Sequence, residues 1–117
     1  MYRCIKRPIT LILNYLDGYV ELRAKNFLLI RTTHKKKPFS HNKAWINQIG
    51  NFDYVDIIAQ NIIKLVDIQA TGVYNVGTEL KSMLQLAQRT NTKVVPSLCP
   101  QGVPTNIQMD LTKFNNL

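Results

Sequence analysis

Basic side chains near the end of one apolar segment suit contact with a phosphate-bearing ligand. Arg31 ends that segment, and its guanidinium could clamp a phosphate through two hydrogen bonds or pair with a carboxylate such as Asp56. Lys35, Lys36 and Lys37 follow in a polar loop. They could contact the phosphates of a small ligand or of a nucleic acid, but a run of charges also fits a solvated loop.

Other polar and aromatic residues have a functional and a structural interpretation. Asn75 and Thr78 follow a predicted strand, where α/β folds usually place ligand contacts, so we predict that both bind substrate. His34 and His41 flank the basic loop without a carboxylate or cysteine at ligand spacing, so we predict no metal site. Trp45 could stack on a base or anchor packing.

Composition and charge limit the class of protein. The chain has 117 residues, of which 45% are hydrophobic and 19% are charged, which fits one globular domain over residues 1–117. The formal net charge of +8 favours phosphate-bearing partners without identifying one. No apolar run could span a bilayer and the start carries no signal peptide, so we expect a cytoplasmic protein without a membrane partner.

The best-formed helical pattern lies in segment 51–67. Its apolar residues recur at steps of three and four, which gathers them on one face of a helix. Asp53 and Asp56 stand at its start, where carboxylates can accept from unpaired backbone N–H groups. The predicted apolar face consists of Val55, Ile58, Ala59, Ile62, Ile63 and Val66.

Short segments on both sides of this helix predict further elements. Continuous or β-branched apolar runs predict strands at 26–31, 73–76 and 93–96. Helical patterns are predicted at 1–25, at 43–49 closed by Gly50, at 82–87 with Ser82 and Gln85 as a capping box, and in a final turn capped by Asp110. Helices alternating with short strands indicate an α/β fold.

Several phrases of this chain, in their order and spacing, resemble the extended short-chain dehydrogenase/reductase superfamily, in particular its dTDP-4-dehydrorhamnose reductase-like sugar-nucleotide branch. In that family these phrases form the carboxyl-terminal half. The resemblance therefore implies a partial Rossmann-like sheet with helices flanking short parallel strands. The matching phrases are Phe27-Leu-Leu-Ile-Arg-Thr32, Asp53-Tyr-Val-Asp-Ile-Ile-Ala59, Tyr74-Asn-Val-Gly77, Lys81-Ser-Met-Leu-Gln-Leu-Ala87 and Met109-Asp-Leu-Thr-Lys113.

The resemblance also assigns a catalytic role to Tyr2 and Lys6, which have the spacing of the family's Tyr-x-x-x-Lys motif. It implies that the tyrosine is the acid/base at the sugar oxygen, and that the lysine lowers its pKa and holds the nicotinamide ribose of NAD(P). A phenol with a pKa of ~10 needs such a shift, and an ammonium one helical turn away would favour the phenolate. Pro8 departs from the family pattern, because that helix continues past the lysine.

A second departure concerns the cofactor. The family binds NAD(P) through a glycine-rich turn, and the five glycines of this chain are too scattered to form one. We therefore expect a truncated reductase or epimerase remnant that needs a missing amino-terminal half or another subunit, and that neither binds NAD(P) nor oxidises or reduces a sugar alone. The same reading predicts that the strand at 27–31 lacks neighbours and drives oligomerisation.

Two other functions stay open on the sequence. One is a noncatalytic binding or interaction domain on the same fold. The other is a basic nucleic-acid-binding protein, which ranks last because aromatic and basic residues are not interleaved along one face of a predicted element.

Overall fold

The computed structural model describes the backbone of residues 2–6, 10–13 and 26–117, and the side chains of residues 26–117. This part of the chain is a mixed α/β structure with short parallel strand pairs and three helices. The strands are β1 (Tyr2–Lys6), β2 (Thr10–Leu13), β3 (Phe27–Thr32), β4 (His34–Lys35), β5 (Lys43–Trp45), β6 (Ile49–Gly50), β7 (Asp53–Tyr54), β8 (Gly72–Val76), β9 (Lys81–Ser82), β10 (Val95–Ser97) and β11 (Asn106–Ile107). The helices are α1 (Val55–Asp67), α2 (Met83–Gln88) and α3 (Thr112–Asn115).

The described residues divide into two compact units. The first comprises β1 to β3, residues Ala59–Val76 and residues Asp110–Leu117, and the second comprises Thr33–Ile58 and Gly77–Met109. We call them unit 1 and unit 2.

Unit 1 contains a four-stranded sheet in the order β2-β1-β3-β8. Strand β3 pairs antiparallel with β1 on one side and parallel with β8 on the other. Leu28, Leu29 and Ile30 in β3 are 0% exposed, as a strand covered on both faces requires. The predicted buried strand is therefore confirmed, whereas the expectation that it lacks neighbours is wrong. Strand β8 confirms the prediction at 73–76.

Two helix predictions are wrong. Residues 2–6 and 10–13, within the segment predicted to be helical, form the antiparallel pair β1 and β2. Residues 43–49 contain β5, which pairs in parallel with β10, so a partner distant in sequence decides their conformation. The predicted strand at 93–96 is confirmed as β10, shifted toward its carboxyl end.

Helix α1 confirms the strongest helical pattern, but its buried face differs from the predicted one. Ile58 and Leu65, two turns apart, are buried. Val55 and Ile63 are 45% and 56% exposed although both were assigned to the apolar face. Apolar residues occupy both the buried and the exposed side of α1. Periodicity alone therefore cannot separate the two sides.

Unit 2 is organised around a hydrophobic cluster beside α2. The capping box of this helix is confirmed, since Ser82 Oγ accepts from Gln85 N and Gln85 Oε1 accepts from Ser82 N. Trp45 packs against the cluster, in agreement with its role as a packing anchor. The cluster consists of Phe39, Ala44, Phe52, Tyr54, Met83, Leu86, Ala87 and Val94.

The final helical turn is confirmed as α3. Asp110 Oδ1 accepts from the backbone N of Thr112 at 2.9 Å and from its hydroxyl at 2.6 Å. These hydrogen bonds lower the pKa of Asp110. Across the described ranges, none of the three helices combines the length and apolarity that crossing a membrane requires.

Candidate functional site

An ionic cluster in unit 2, buried at its centre, surrounds Lys81, whose side chain is only 2% exposed. Its ammonium donates to the carbonyl of Phe52 at 2.8 Å, the hydroxyl of Thr78 at 2.7 Å and the carbonyl of Glu79 at 2.7 Å. The nearest carboxylate oxygen of Asp53 lies 3.8 Å away. All three protons of the ammonium are therefore bonded, which compensates for its removal from water.

Asp53 and Arg89 complete the cluster. Asp53 Oδ1 accepts from the backbone N of Tyr54 at 2.7 Å, and its Oδ2 accepts from the Thr78 hydroxyl at 2.7 Å. Arg89 donates to Glu79 at 2.7 Å and lies 4.0 Å from Asp53. Asp53 was predicted to cap the helix; in the structure its carboxylate instead joins β7 to the segment before β9.

The pKa values of two groups reflect these surroundings. Burial lowers the pKa of Lys81, although the nearby carboxylates of Glu79 and Asp53 oppose that shift. The hydrogen bond from Arg89 lowers the pKa of Glu79. The cluster thus pairs its charges internally, which is the arrangement of a structural cross-link.

A polar cavity of about 340 Å³ lies beside the ionic cluster. It contains cationic and anionic side chains together, and Lys37 at its wall also pairs with Asp56 at 3.3 Å. This mixture of charges favours neither an anion nor a cation. The cavity is lined by Lys37, Asp53, Tyr54, Ile57, Thr78, Glu79, Arg89 and Thr90.

A larger groove of about 570 Å³, also in unit 2, combines positive charge with aromatic rings. The rings of Phe39 and His41 are 5.7 Å apart and meet edge to face, at 72°. We call it the basic-aromatic groove. It is lined by Lys35, Phe39, His41, Asn42, Lys43, Ala44, Trp45 and Met83.

The chemistry of this groove suits a ligand with both phosphate and a flat ring. The ammonium groups of Lys35 and Lys43 can attract phosphate oxygens as point charges. The exposed ring of His41 and the half-buried ring of Trp45 offer surfaces on which a base can stack, and the buried Phe39 forms part of the groove wall. The volume also falls within the range of small-molecule sites, about 300–1,000 Å³.

The predicted substrate residues do not all meet in one place. Lys35 lines the basic-aromatic groove, whereas Lys36 is exposed and is not part of the groove lining among the described residues. Thr78 belongs to the ionic cluster, where its hydroxyl accepts from Lys81 and donates to Asp53. Its assignment to substrate binding stays a prediction.

Arg31 and Asn75 are brought side by side in unit 1. They are register partners on the parallel strands β3 and β8, close to the carboxyl ends of both. Asn75 Nδ2 donates to the carbonyl of Asp110 at 3.0 Å, so part of its hydrogen-bonding capacity holds the segment before α3. The pairing places two predicted substrate residues at the edge where α/β sheets receive ligands.

Tyr2 and Lys6 are placed by their backbone alone, because their side chains lie outside the described residues. Both are in β1, where Tyr2 is the register partner of Arg31 and Lys6 that of Phe27. The predicted helical spacing between them is wrong: four residues of strand separate two Cα atoms by about 13 Å. Their catalytic assignment stays a prediction.

The sequence alone does not identify Lys43, Phe39 and Met83 as groove residues. Lys43 and Trp45 are two positions apart, which places them on one face of a strand, but the segment was read as a helix. Phe39 lies in a loop without periodicity, and Met83 reaches the groove from α2, far along the chain. Only the two-residue spacing of Lys43 and Trp45 is a local signal that both side chains share one face of a strand.

Comparisons with protein-family models, with curated proteins and with solved structures found no match. Among residues 26–117, no group of three His, Cys, Asp or Glu side chains is placed to hold a metal ion.

Proposed function

We propose that the chain is the nucleotide-sugar-binding part of an NAD(P)-dependent sugar-nucleotide reductase or epimerase, and that it binds a nucleotide-linked sugar in the basic-aromatic groove. The ancestral reaction is the reduction of a nucleotide-linked keto-sugar, for which the resemblance assigns Tyr2 and Lys6. Their place in strand β1 does not give the one-turn spacing by which the lysine would lower the pKa of the tyrosine. The chain alone lacks the glycine-rich turn for NAD(P), so it is a binding protein without oxidoreductase activity unless another polypeptide supplies that part.

The composition of the groove carries this proposal. Two lysines and three aromatic rings surround one opening, and this combination matches the diphosphate and the base of a nucleotide-linked sugar. The formal net charge of +8 adds long-range attraction for such an anionic ligand.

The sheet of unit 1 gives separate support for the Rossmann-like assignment. A buried strand, β3, pairs in parallel with β8, and residues Ala59–Asp67 of α1 lie between these strands along the chain. A helix in the crossover between two parallel strands is typical of Rossmann folds, although here the short strands β4 to β7 also lie in the crossover.

Calorimetry on charge variants of the groove tests the proposal. The double variant Lys35→Ala/Lys43→Ala is expected to weaken binding of a dTDP-sugar about tenfold or more, because each lysine loses a charge-assisted contact with phosphate. Lys64→Ala/Lys93→Ala is the charge-matched control, since both lysines are exposed and lie outside the groove lining. Equal weakening in the control would show that only overall charge matters and would count against the proposal.

A second candidate is single-stranded nucleic acid. Aromatic and basic residues do not interleave along one predicted element, which ranks this function last on the sequence alone, yet the fold gathers both kinds around one groove. An oligonucleotide that binds more tightly than the dTDP-sugar, with affinity falling steeply as salt increases, would favour this candidate.

A further inference from the structure

A chain of hydrogen bonds connects the wall of the basic-aromatic groove to the interior of unit 2. The backbone N of Phe39 donates to the Thr90 hydroxyl at 3.0 Å. That hydroxyl lies 2.6 Å from the hydroxyl of Tyr54, which donates to the carbonyl of Leu86 at 2.7 Å. Tyr54 and Leu86 are both buried.

Each hydroxyl has one proton, and this limit orders the chain. Tyr54 uses its proton on Leu86, so the short contact between the two hydroxyls requires Thr90 to donate to Tyr54. Thr90 then accepts from Phe39. The other acceptor near Thr90, the carbonyl of Ala87, is 3.5 Å away and thus a poorer partner.

Phe39 lines the groove, whereas Tyr54 and Thr90 line the neighbouring polar cavity and are not part of the described groove lining. Without the Thr90 hydroxyl, the N–H of the buried residue Phe39 would lose its acceptor, which is costly inside a protein. The backbone at Phe39 would then move toward another acceptor or toward water, and its ring would move with it.

We propose that Thr90 and Tyr54 are positioning residues, which hold the Phe39 wall of the basic-aromatic groove without touching the ligand. The expected loss of ligand affinity rests on the proposed function, whereas the expected change in groove geometry does not. Thr90 is the more important residue of the two, because it bonds directly to Phe39. If Tyr54 loses its hydroxyl, Thr90 can still accept from Phe39 and turn its own proton toward Ala87.

Trp45 supplies a reporter of groove geometry, because it lines the groove and is the single tryptophan of the chain. The experiment compares the wild-type chain with Thr90→Val, Thr90→Ser and Tyr54→Phe. It measures acrylamide quenching of Trp45 emission without ligand, and then the affinity for a dTDP-sugar. Thr112→Val is the matched control, since it also removes a threonine hydroxyl that donates a hydrogen bond, but in unit 1.

We expect Thr90→Val to change the quenching constant about twofold and to weaken the dTDP-sugar about tenfold. Thr90→Ser should restore both quantities, and Tyr54→Phe should show a smaller change. Quenching that is unchanged in Thr90→Val, or changed equally in Thr112→Val, would overturn the inference. If Thr90→Val fails to fold, Thr90→Ala takes its place, because it also removes the hydroxyl that accepts from Phe39. The inference is then overturned if Trp45 is quenched equally in Thr90→Ala and in Thr90→Ser.

The two proposals fail in different ways. A wild-type chain that binds no dTDP-sugar refutes the proposed ligand, and the quenching measurement still decides whether Thr90 positions Phe39. If Thr90→Val binds the dTDP-sugar as tightly as the wild-type chain, and Trp45 is quenched equally in both, only the positioning role is refuted.

Discussion

At the scale of single residues, Lys81 shows how a charge can be buried inside a small protein. Its three hydrogen bonds and two nearby carboxylates replace the water that burial removes. Replacing Lys81 with methionine keeps the volume but leaves Asp53 buried with one cation fewer. We expect this change to lower the free energy of unfolding by about 3 kcal/mol.

Urea unfolding of Lys81→Met and of the control Lys93→Met measures this effect. Lys93 is exposed, so its replacement should change the free energy of unfolding by less than about 0.5 kcal/mol. A Lys81→Met protein as stable as the wild type would show that the cluster is not a structural cross-link.

Glu79 predicts a dependence of stability on pH. Its pKa is lowered from an ordinary 4.5, chiefly by the hydrogen bond from Arg89, so the folded state favours the ionised carboxylate. The resulting stabilisation is complete above the unfolded pKa and is lost as the pH falls through the lower folded value. Denaturant midpoints between about pH 6 and pH 3 should therefore fall less steeply in Glu79→Gln than in the wild type. Identical slopes would refute this contribution.

At the scale of elements, sequence patterns predict the helices and strands whose conformation depends only on their own residues. The capping box of α2 needs only Ser82 and Gln85, and the apolar run of β3 needs only its own residues. Strand β5 is different, because Lys43 pairs with Val95, which lies far away in sequence. A short segment such as 43–45 has a weak preference of its own, so a distant partner decides its conformation.

The capping box also predicts a measurable loss of stability. Ser82→Ala removes the oxygen that accepts from Gln85 N at 3.1 Å, and we expect a loss of about 1 kcal/mol. Ser97→Ala, in strand β10, is the control and should cost less than about 0.5 kcal/mol. Urea unfolding of both variants checks the difference, and equal losses would contradict a role for the cap.

At the scale of the whole molecule, the groove forms only when separate elements come together in the fold, and few sequence signals predict it. Lys35 follows an apolar segment and lines the groove, while its contact with substrate stays a prediction. Phe39, Lys43 and Met83 come from a loop, a strand and a helix. Only the fold of unit 2 joins them, so neither composition nor spacing could place them around one opening.

The proposed function also predicts which ligands the whole chain distinguishes. A dTDP-sugar offers a base and a diphosphate to the groove, whereas NADPH depends on a glycine-rich turn that the sequence lacks. We therefore expect the dTDP-sugar to bind more tightly than NADPH.

The most direct test follows Trp45 emission while a dTDP-sugar is added to the wild-type chain, at low and at physiological salt. The proposal predicts a saturable change in emission, modestly weaker at physiological salt. NADPH should need a much higher concentration to produce the same change. Emission that does not respond to the dTDP-sugar, or that responds equally to NADPH, would contradict the assignment of the groove to nucleotide-linked sugars.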